Sequence, residues 1–547
     1  MKKFKGSIAL KSIRIRNIAF LFLFLFVTSF LTSCKEDDGS GHIFKMNIEN
    51  NPQNLDPQMA VDSESIMVIT NMMEGLMKTD ASGAIVPAAA ESFAMSEDGL
   101  TYTFYLKQSR MWESLAEDFS APVTADDFVF AFQRIFDAKT ESPYSSDFLC
   151  IKNSSAVLNG TKSINELGVR AVDENTVEFK LEYPYYNFLG LLTETSAMPC
   201  CRSFFEFTNG KYGMAADACA SNGAFYLKEW NYDPYWDNNY LIMRRNISYS
   251  ETDYVFPYSI NFFITGDSSV DEESFSLGNT DCFITEKYNE KLFKENNNIG
   301  KSVKTEGLLI NTKNEYFKNK SLREALAKSI NRDSYSHLLS EQYTAAYGII
   351  PECITVQGKS YRDMSPDRVL SVYDTNSAQL WENAMRSSDI GSVNGIKITV
   401  SEEFSAPEAI YDITDKWRSE LLFNCGVETV SKTEYDSKIN SGSFSIALVE
   451  IRADKNSPQD FLGKFCGNNL FTGNAKLALD INNLKTAASL SEGIERINNA
   501  ESEIIIDYIF IPICYENEYL LYNERSIDIF YYPVSSTVWF GEAKYFD

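Results

Sequence analysis

A mixed α/β architecture spread over more than one lobe is what this sequence predicts, on three observations. Short runs alternate apolar and polar residues, other stretches repeat apolar residues every three or four positions, and 547 residues carry no internal repeat. Thr101–Leu106 alternates, so Tyr102, Phe104 and Leu106 share one face of a strand, and Val177–Glu182 alternates more cleanly. Between them Thr124 caps a helix, with Asp127 at the third helical position and Phe128, Phe132, Ile135 and Phe136 as its apolar stripe. A second helix opens at Ser321 and turns Leu322, Ala325, Leu326 and Ile330 inward. A third carries Ile494, Ile497, Ile504 and Ile505 and runs into a strand over residues 509–515. Both periods without repetition exclude a solenoid or a sandwich. The length exceeds what one core accommodates and predicts two or three lobes.

The N-terminus sets the compartment. Six Lys/Arg and no acid precede residue 34, and an apolar run extends from Ile18 to Val27. Basic head, short apolar middle and small residues at the exit predict a secretory signal over residues 1–33, too short to span a bilayer comfortably. The run ends Leu31-Thr32-Ser33-Cys34, which resembles the bacterial lipobox, whose Cys takes a diacylglycerol before cleavage. Cys34 is therefore the expected lipidation site and residues 34–42 a polar, glycine-bearing tether. No second apolar stretch approaches membrane length, so the mature chain is expected to be a soluble body held at the membrane through the lipid on Cys34.

Charge and composition remove whole classes of function. The chain has 50 Lys+Arg and 76 Asp+Glu, and losing the six bases of the signal leaves 44 bases against 76 acids, a net charge of −32. Such a surface does not fit nucleic acid, whose phosphates need basic partners. Two histidines, His42 in the tether and His337 after a helical stretch, leave no histidine-rich metal site, and no G-x-S-x-G is present. Gly300-Lys301-Ser302 ends like a phosphate loop, but Glu295 stands where its first Gly is required. The acidic stretch Asp267–Glu273 lacks calcium-loop spacing. No catalytic residue, cofactor or metal is expected, and a chain with ample core and no catalytic apparatus is read as a binder. With Cys34 lipidated, nine of ten cysteines remain, irregularly spaced; most are read as buried thiols, with one internal disulfide left open.

Ordered motifs then line up with a known family. Asn54-Leu55-Asp56-Pro57, Glu74-Gly75-Leu76, Ile85-Val86-Pro87-Ala88, Ala90-Glu91-Ser92-Phe93 and Asp98–Phe104 come first. Pro122–Arg134 follows, then Ser142-Pro143-Tyr144, Leu167-Gly168-Val169, Ser221–Phe225, Arg323–Leu326 and Ala453–Pro458 with Phe461-Leu462. In this order they resemble the oligopeptide- and dipeptide-binding proteins of ABC importers, the extracellular solute-binding proteins of family 5. The resemblance implies a two-lobe, periplasmic-binding-protein-like fold with a hinge and an interlobe cleft. Domain I would use residues 43–79, 170–265 and 511–547, domain II residues 80–169, and domain III residues 266–510.

The same resemblance implies the site and the partners. Asp454, after Ala453, matches the aspartate that receives a peptide's α-amino group; a turn aspartate is the other reading. Lys455 is its expected partner when no peptide is bound, and Leu448 stands where some relatives place a carboxylate-binding Arg. Tyr144 matches a cleft tyrosine, with core packing as the alternative. Asn222 and Gly223 match a segment near the hinge, with a plain turn as the alternative, and Tyr515 is a further cleft candidate. An extended peptide would pair its backbone with cleft strands, as an added strand does, so many sequences could be accepted. The expected partners are a peptide and the permease subunits of an ABC importer, with the protein acting as a monomer. The competing readings are a non-peptide cargo such as a nickel chelate, haem or sugar, a peptide-signal receptor, and an anchored hydrolase using paired carboxylates.

Overall fold

In the computed structural model the described residues are 39–547, apart from 81, 117–118, 237, 340, 366–372, 405–406, 466–474 and 547. Cys34, the signal and most of the tether lie outside the described residues, as does the side chain of His337. Residues 41–547 form one unit. The strands that position the site are, in chain order, β1 (Ile43–Ile48), β2 (Ala90–Met95), β3 (Thr101–Leu106), β4 (Val169–Asp173), β5 (Thr176–Lys180), β6 (Phe225–Asn231), β7 (Asn239–Arg245), β8 (Ser259–Ile264), β9 (Cys282–Thr285), β10 (Asn297–Ile310), β11 (Lys397–Ser401), β12 (Gly426–Val430), β13 (Ile446–Arg452) and β14 (Phe510–Tyr522).

One mixed sheet runs through the unit in the order β6-β7-β8-β1-β9-β14-β10-β13-β11-β12. β1 lies parallel to β8 and β9, whereas β10 is antiparallel to both β14 and β13. A separate sheet, β2-β3-β5-β4, is backed by the helix Ala125–Phe136. That helix follows its sequence signals. The Thr124 N–H donates to the Asp127 carboxylate at 2.8 Å, which also accepts from the Trp112 indole at 3.1 Å, and Phe128, Phe132, Ile135 and Phe136 are buried. Tyr102, Phe104 and Leu106 are likewise buried on one face of β3.

Four further expectations meet the structure with differences. The second helix begins at Lys320, one residue early, because Asn319 caps it by accepting from the Ser321 N–H at 2.8 Å. The last long strand runs to Tyr522, well past 515, since its second half continues into the other lobe. β4 and β5 pair with β3 and each other, so the smaller sheet reaches Lys180, beyond the expected domain boundary at residue 169. His42, expected in the tether, instead stacks on Tyr545 at 3.8 Å and meets Asp281 at 3.1 Å. Eight described cysteines, Cys150, Cys200, Cys201, Cys219, Cys282, Cys353, Cys425 and Cys514, are all free and buried.

The cores divide the unit. One gathers residues 44–264 with Leu520 and the C-terminal residues Ile529, Val538 and Phe540. Two others lie on opposite faces of the β10–β13 region: Leu308, Ile310, Ile446 and Leu448 on one, Val303, Leu309, Ala447 and Val449 on the other. Burial on both faces explains why Ile446–Val449 is continuously apolar. β14 pairs with β9 of the first lobe and with β10, and β10 pairs in turn with β13 of the second, so these two adjacent strands link the lobes.

Candidate functional site

Where β10 and β14 pass between lobes, their alternation changes from apolar to charged. Lys304 and Glu306 on β10, Glu450 and Arg452 on β13, and Glu516 and Glu518 on β14 converge with Glu286 just past β9. The Lys304 ammonium meets Glu286 at 2.8 Å, Glu450 at 3.0 Å and Glu516 at 3.2 Å. The Arg452 guanidinium bridges Glu286 at 2.9 Å and Glu518 at 2.8 Å, and donates to the Ser536 hydroxyl at 2.7 Å. Arg452 thus ties the second lobe's strand to the C-terminal segment of the first. Tyr335 donates to Glu306 at 3.0 Å, Tyr343 to Glu516 at 3.3 Å, and Tyr531 to Glu518.

Seven charged side chains meet at one crossing, and two of its carboxyls are pushed up. Burial, then the neighbouring Glu516 and Glu450 carboxylates, push Glu306 up to about 8 against the Tyr335 hydrogen bond. Burial raises Glu516 to about 7 despite Lys304. Burial opposes the charge of Lys304, but the Glu516, Glu450 and Glu286 carboxylates outweigh it and hold the ammonium above its ordinary value, so it stays charged. The crossing is an acidic site of five carboxyls around the Lys304 and Arg452 cations.

The chain leaves β13 directly into the segment carrying the principal sequence candidate. Ala453 is buried and its N–H donates to the Val303 carbonyl at 3.1 Å. Asp454 turns outward, its side chain 69 % exposed, and accepts from the Lys464 ammonium at 2.6 Å. Lys464, not Lys455, is thus its partner. Lys455 reaches the other lobe and grips both oxygens of Asp147, at 2.7 and 2.8 Å. The reason is local direction: successive side chains of an extended segment point apart, so Asp454 and Lys455 face different neighbours. Asn456 accepts from the Thr355 N–H at 2.7 Å, and Ser457 caps the helix Pro458–Gly463.

Tyr144 belongs to the segment opposite. It is half-buried, its hydroxyl donates to the Ala60 carbonyl, and burial with Glu194 and Asp147 nearby raises it to about 12. Glu194, beside the Lys455–Asp147 pair, is pushed up to about 7 by burial and by Asp147, with Lys455 opposing. The structure therefore brings the Tyr144 and Asp454 segments together. The other candidates sit apart from them. Asn222 accepts from the Glu74 N–H at 3.0 Å and donates to the Glu74 carbonyl at 2.8 Å, and Gly223 donates to the Met72 carbonyl at 3.0 Å. Tyr515 is buried on β14, its hydroxyl accepting from the Gly348 N–H at 3.2 Å.

Sequence reasoning passed over Arg452, Lys304 and their carboxylates. Their signal was present: in Ile446–Arg452, Glu450 and Arg452 fall on the face of the buried Ile446 and Leu448. A charge on a core face requires a partner or a function. Leu448 is itself core, so the strand's cation stands at 452.

Two lobes joined by adjacent strands, with charged side chains converging at the crossing, are the architecture the comparisons place in a family. The family model for bacterial extracellular solute-binding proteins, family 5, matches residues 84–472, and the chain belongs to that family. It is similar to the dipeptide-binding protein DppE of Bacillus subtilis, 25 % identical over 502 residues that cover 90 % of each chain. It is also similar to the periplasmic murein peptide-binding protein MppA of Escherichia coli, 25 % identical over 427 residues, 76 % of each chain. Among solved structures, the unliganded open form of MppA superposes with a TM-score of 0.71 at 22 % identity, covering 92 % of this chain and 99 % of that one. Listeria monocytogenes OppA bound to peptide gives 0.65 at 21 % identity, covering 93 % and 99 %. The fold is thus the periplasmic-binding-protein-like α/β fold of this family, and the relatives are binding proteins, not enzymes. Among the described residues no helix is long and apolar enough to cross a membrane.

Proposed function

We propose that this protein captures peptides with a free α-amino end outside the cytoplasm and delivers them, as a lipid-anchored monomer, to the permease of an ABC importer. Family membership and the peptide-binding names of DppE, OppA and MppA support the class of cargo. One observation carries the site: Asp454 is an exposed carboxylate between Arg452 and Lys455, which both bond to the opposite lobe. A ligand amine there would be enclosed as the lobes meet. Tyr144 and Ala453 would line the same end, while Asn222, Gly223 and Tyr515 would act by holding the cleft walls. Affinity would come from closure, which removes water from the backbone hydrogen bonds and from the terminal charge.

The test is a four-way titration. Asp454→Ala should weaken binding of a free-amino peptide by on the order of 2–5 kcal/mol, the usual cost of stranding a buried charge. Acetylating the peptide should weaken binding to the parent protein. Both together should cost much less than their sum, since they remove one interaction. The Lys464 partner will set the value towards the lower end. Calorimetry that returned additive losses would make Asp454 a fold residue only, and no loss from either change would mean a different cargo.

The anchor is tested separately. Cys34→Ala should leave an uncleaved precursor without acyl mass, because no thiol remains to take the lipid. Normal lipidated product from this variant would remove the anchor.

A further inference from the structure

The chain enters the body at Gly41, where no side chain fits. Its φ is +110°, and a Cβ there would lie 2.3 Å from the Phe256 carbonyl oxygen. The His42 carbonyl accepts from the Tyr258 N–H at 3.0 Å, and its ring stacks on Tyr545 at 3.8 Å. The entry point is therefore pinned between the approach to β8 and a C-terminal ladder in which Ser526–Ile527 pairs with Lys544–Tyr545. In that ladder Ile527 lies opposite Lys544, and Phe546, two residues on, shares their face. The Lys544 ammonium sits 4.6 Å from the Phe256 ring centre and pairs with Asp528 at 2.9 Å. Tyr254, Phe256, Ile527 and Phe546 are 67, 39, 38 and 55 % exposed, an apolar rim beside the entry.

The occupant follows from the chain that precedes the rim. Cys34 stands seven residues before Gly41. At no more than ~3.6 Å per residue, an acyl group on it holds Gly41 within ~25 Å of the bilayer. We propose that this rim rests on the lipid bilayer, with Tyr254, Phe256, Ile527 and Phe546 at headgroup depth, an inference that depends on Cys34 being the anchor. Aromatic rings beside a lysine suit the membrane–water boundary. With 44 bases against 76 acids once the signal is lost, the anchored chain is not drawn to anionic lipid, so the contact is apolar and should persist in salt. An internal reference lies at the far end of the same strands. β1 runs from Ile43 beside Ser259 to Ile48 beside Ile264, whose partner on β7 is Asn239. The β6–β7 turn with Tyr235 and Trp236, 92 and 71 % exposed, is thus roughly 20 Å from the rim by strand rise.

The chain from Cys34 onward, carrying six N-terminal histidines, is held on phosphatidylcholine vesicles containing a nickel-chelating lipid, and side-chain labelling by hydroxyl radicals is read by mass spectrometry. Labelling of Tyr254, Phe256 and Phe546 should fall by about half or more relative to the same protein in solution, at low and high salt, while Tyr235 and Trp236 keep their rates. In the Phe256→Ser/Phe546→Ser variant, Tyr254 should return to its solution rate. Unchanged labelling at the rim overturns the proposal, as does protection at Tyr235 and Trp236 instead. Rim protection that appears in solution and grows with protein concentration assigns the surface to a second copy and also overturns it. The histidine tether makes the vesicle result independent of acylation, so full chain from its host without acyl mass on Cys34 would strike the anchor alone.

Discussion

Glu306 carries one of the clearest consequences at the level of a single side chain. It is buried at the lobe crossing, and its carboxyl is raised to about 8 from an ordinary value near 4.5. Between those values the folded protein binds the proton and the unfolded chain does not, so stability falls as pH rises from about 4.5 to about 8. Glu306→Gln keeps an acceptor for Tyr335 and removes the ionisation. It should raise unfolding stability by on the order of 2 kcal/mol near pH 8.5 and change little near pH 4.5. Thermal melts of both proteins across that range check the sign; a gain that did not vary with pH would place the effect in packing. Asp454 is the opposite case, an exposed carboxylate already facing an ammonium, and its effect should appear in binding before stability.

Among the elements, β10 and β14 do the work of joining the lobes. Their pairing shifts register between Ser302 and Lys304 and again between Glu306 and Gly307, on either side of the charged crossing. Such bulges sharpen local twist and re-aim side chains, which lets Lys304 and Glu306 meet carboxylates from three other segments. The link between the Met72 helix end and β6 is tighter. Gly223 has an ordinary φ, but a Cβ there would lie 2.8 Å from the Met72 carbonyl oxygen, and its own carbonyl accepts from Asn246 at 2.9 Å. Glycine is needed for close approach of backbone, not for a left-handed turn. Gly223→Ala should therefore cost roughly 1–3 kcal/mol in chemical denaturation while leaving the secondary structure content unchanged. A neutral substitution would show that the two backbones can part without loss.

For the whole molecule the decisive contacts are those across the cleft away from the shared strands. Lys455 grips Asp147, the Gln357 amide donates to the Tyr186 carbonyl at 2.6 Å, and the Gln357 N–H donates to Asn187 at 2.9 Å. Gly83 and Gly358, both at positive φ, bring their backbones into direct contact. A partly exposed ion pair contributes only about 0–1 kcal/mol, yet that is enough to shift an open–closed equilibrium up to roughly fivefold. Lys455→Ala should expand the peptide-free protein in small-angle scattering and weaken peptide binding by a similar factor. Exchanging the charges, Asp147→Lys with Lys455→Asp, should restore both. Unchanged scattering from the single variant would mean the pair does not bias closure.

The sequence by itself determined the local structure and the family. The capping box at Thr124 and Asp127, the alternation of Thr101–Leu106 and the order of the short motifs depend on neighbours along the chain, and neighbours are what a sequence displays. The direction of Asp454 towards Lys464 and of Lys455 towards Asp147 was not legible, because their partners are 10 and 308 residues away and the backbone turns between them. Arg452 and Lys304 were marked only as charges on apolar faces. Tertiary structure alone decided that five carboxylates would gather round them, since β9, β10, β13 and β14 meet only when the lobes assemble. Asn222 and Gly223 show the same limit in reverse. Their motif placed them near the expected hinge, but the contacts they make are set by Glu74 and Met72, which the fold brings from 148 residues and more away.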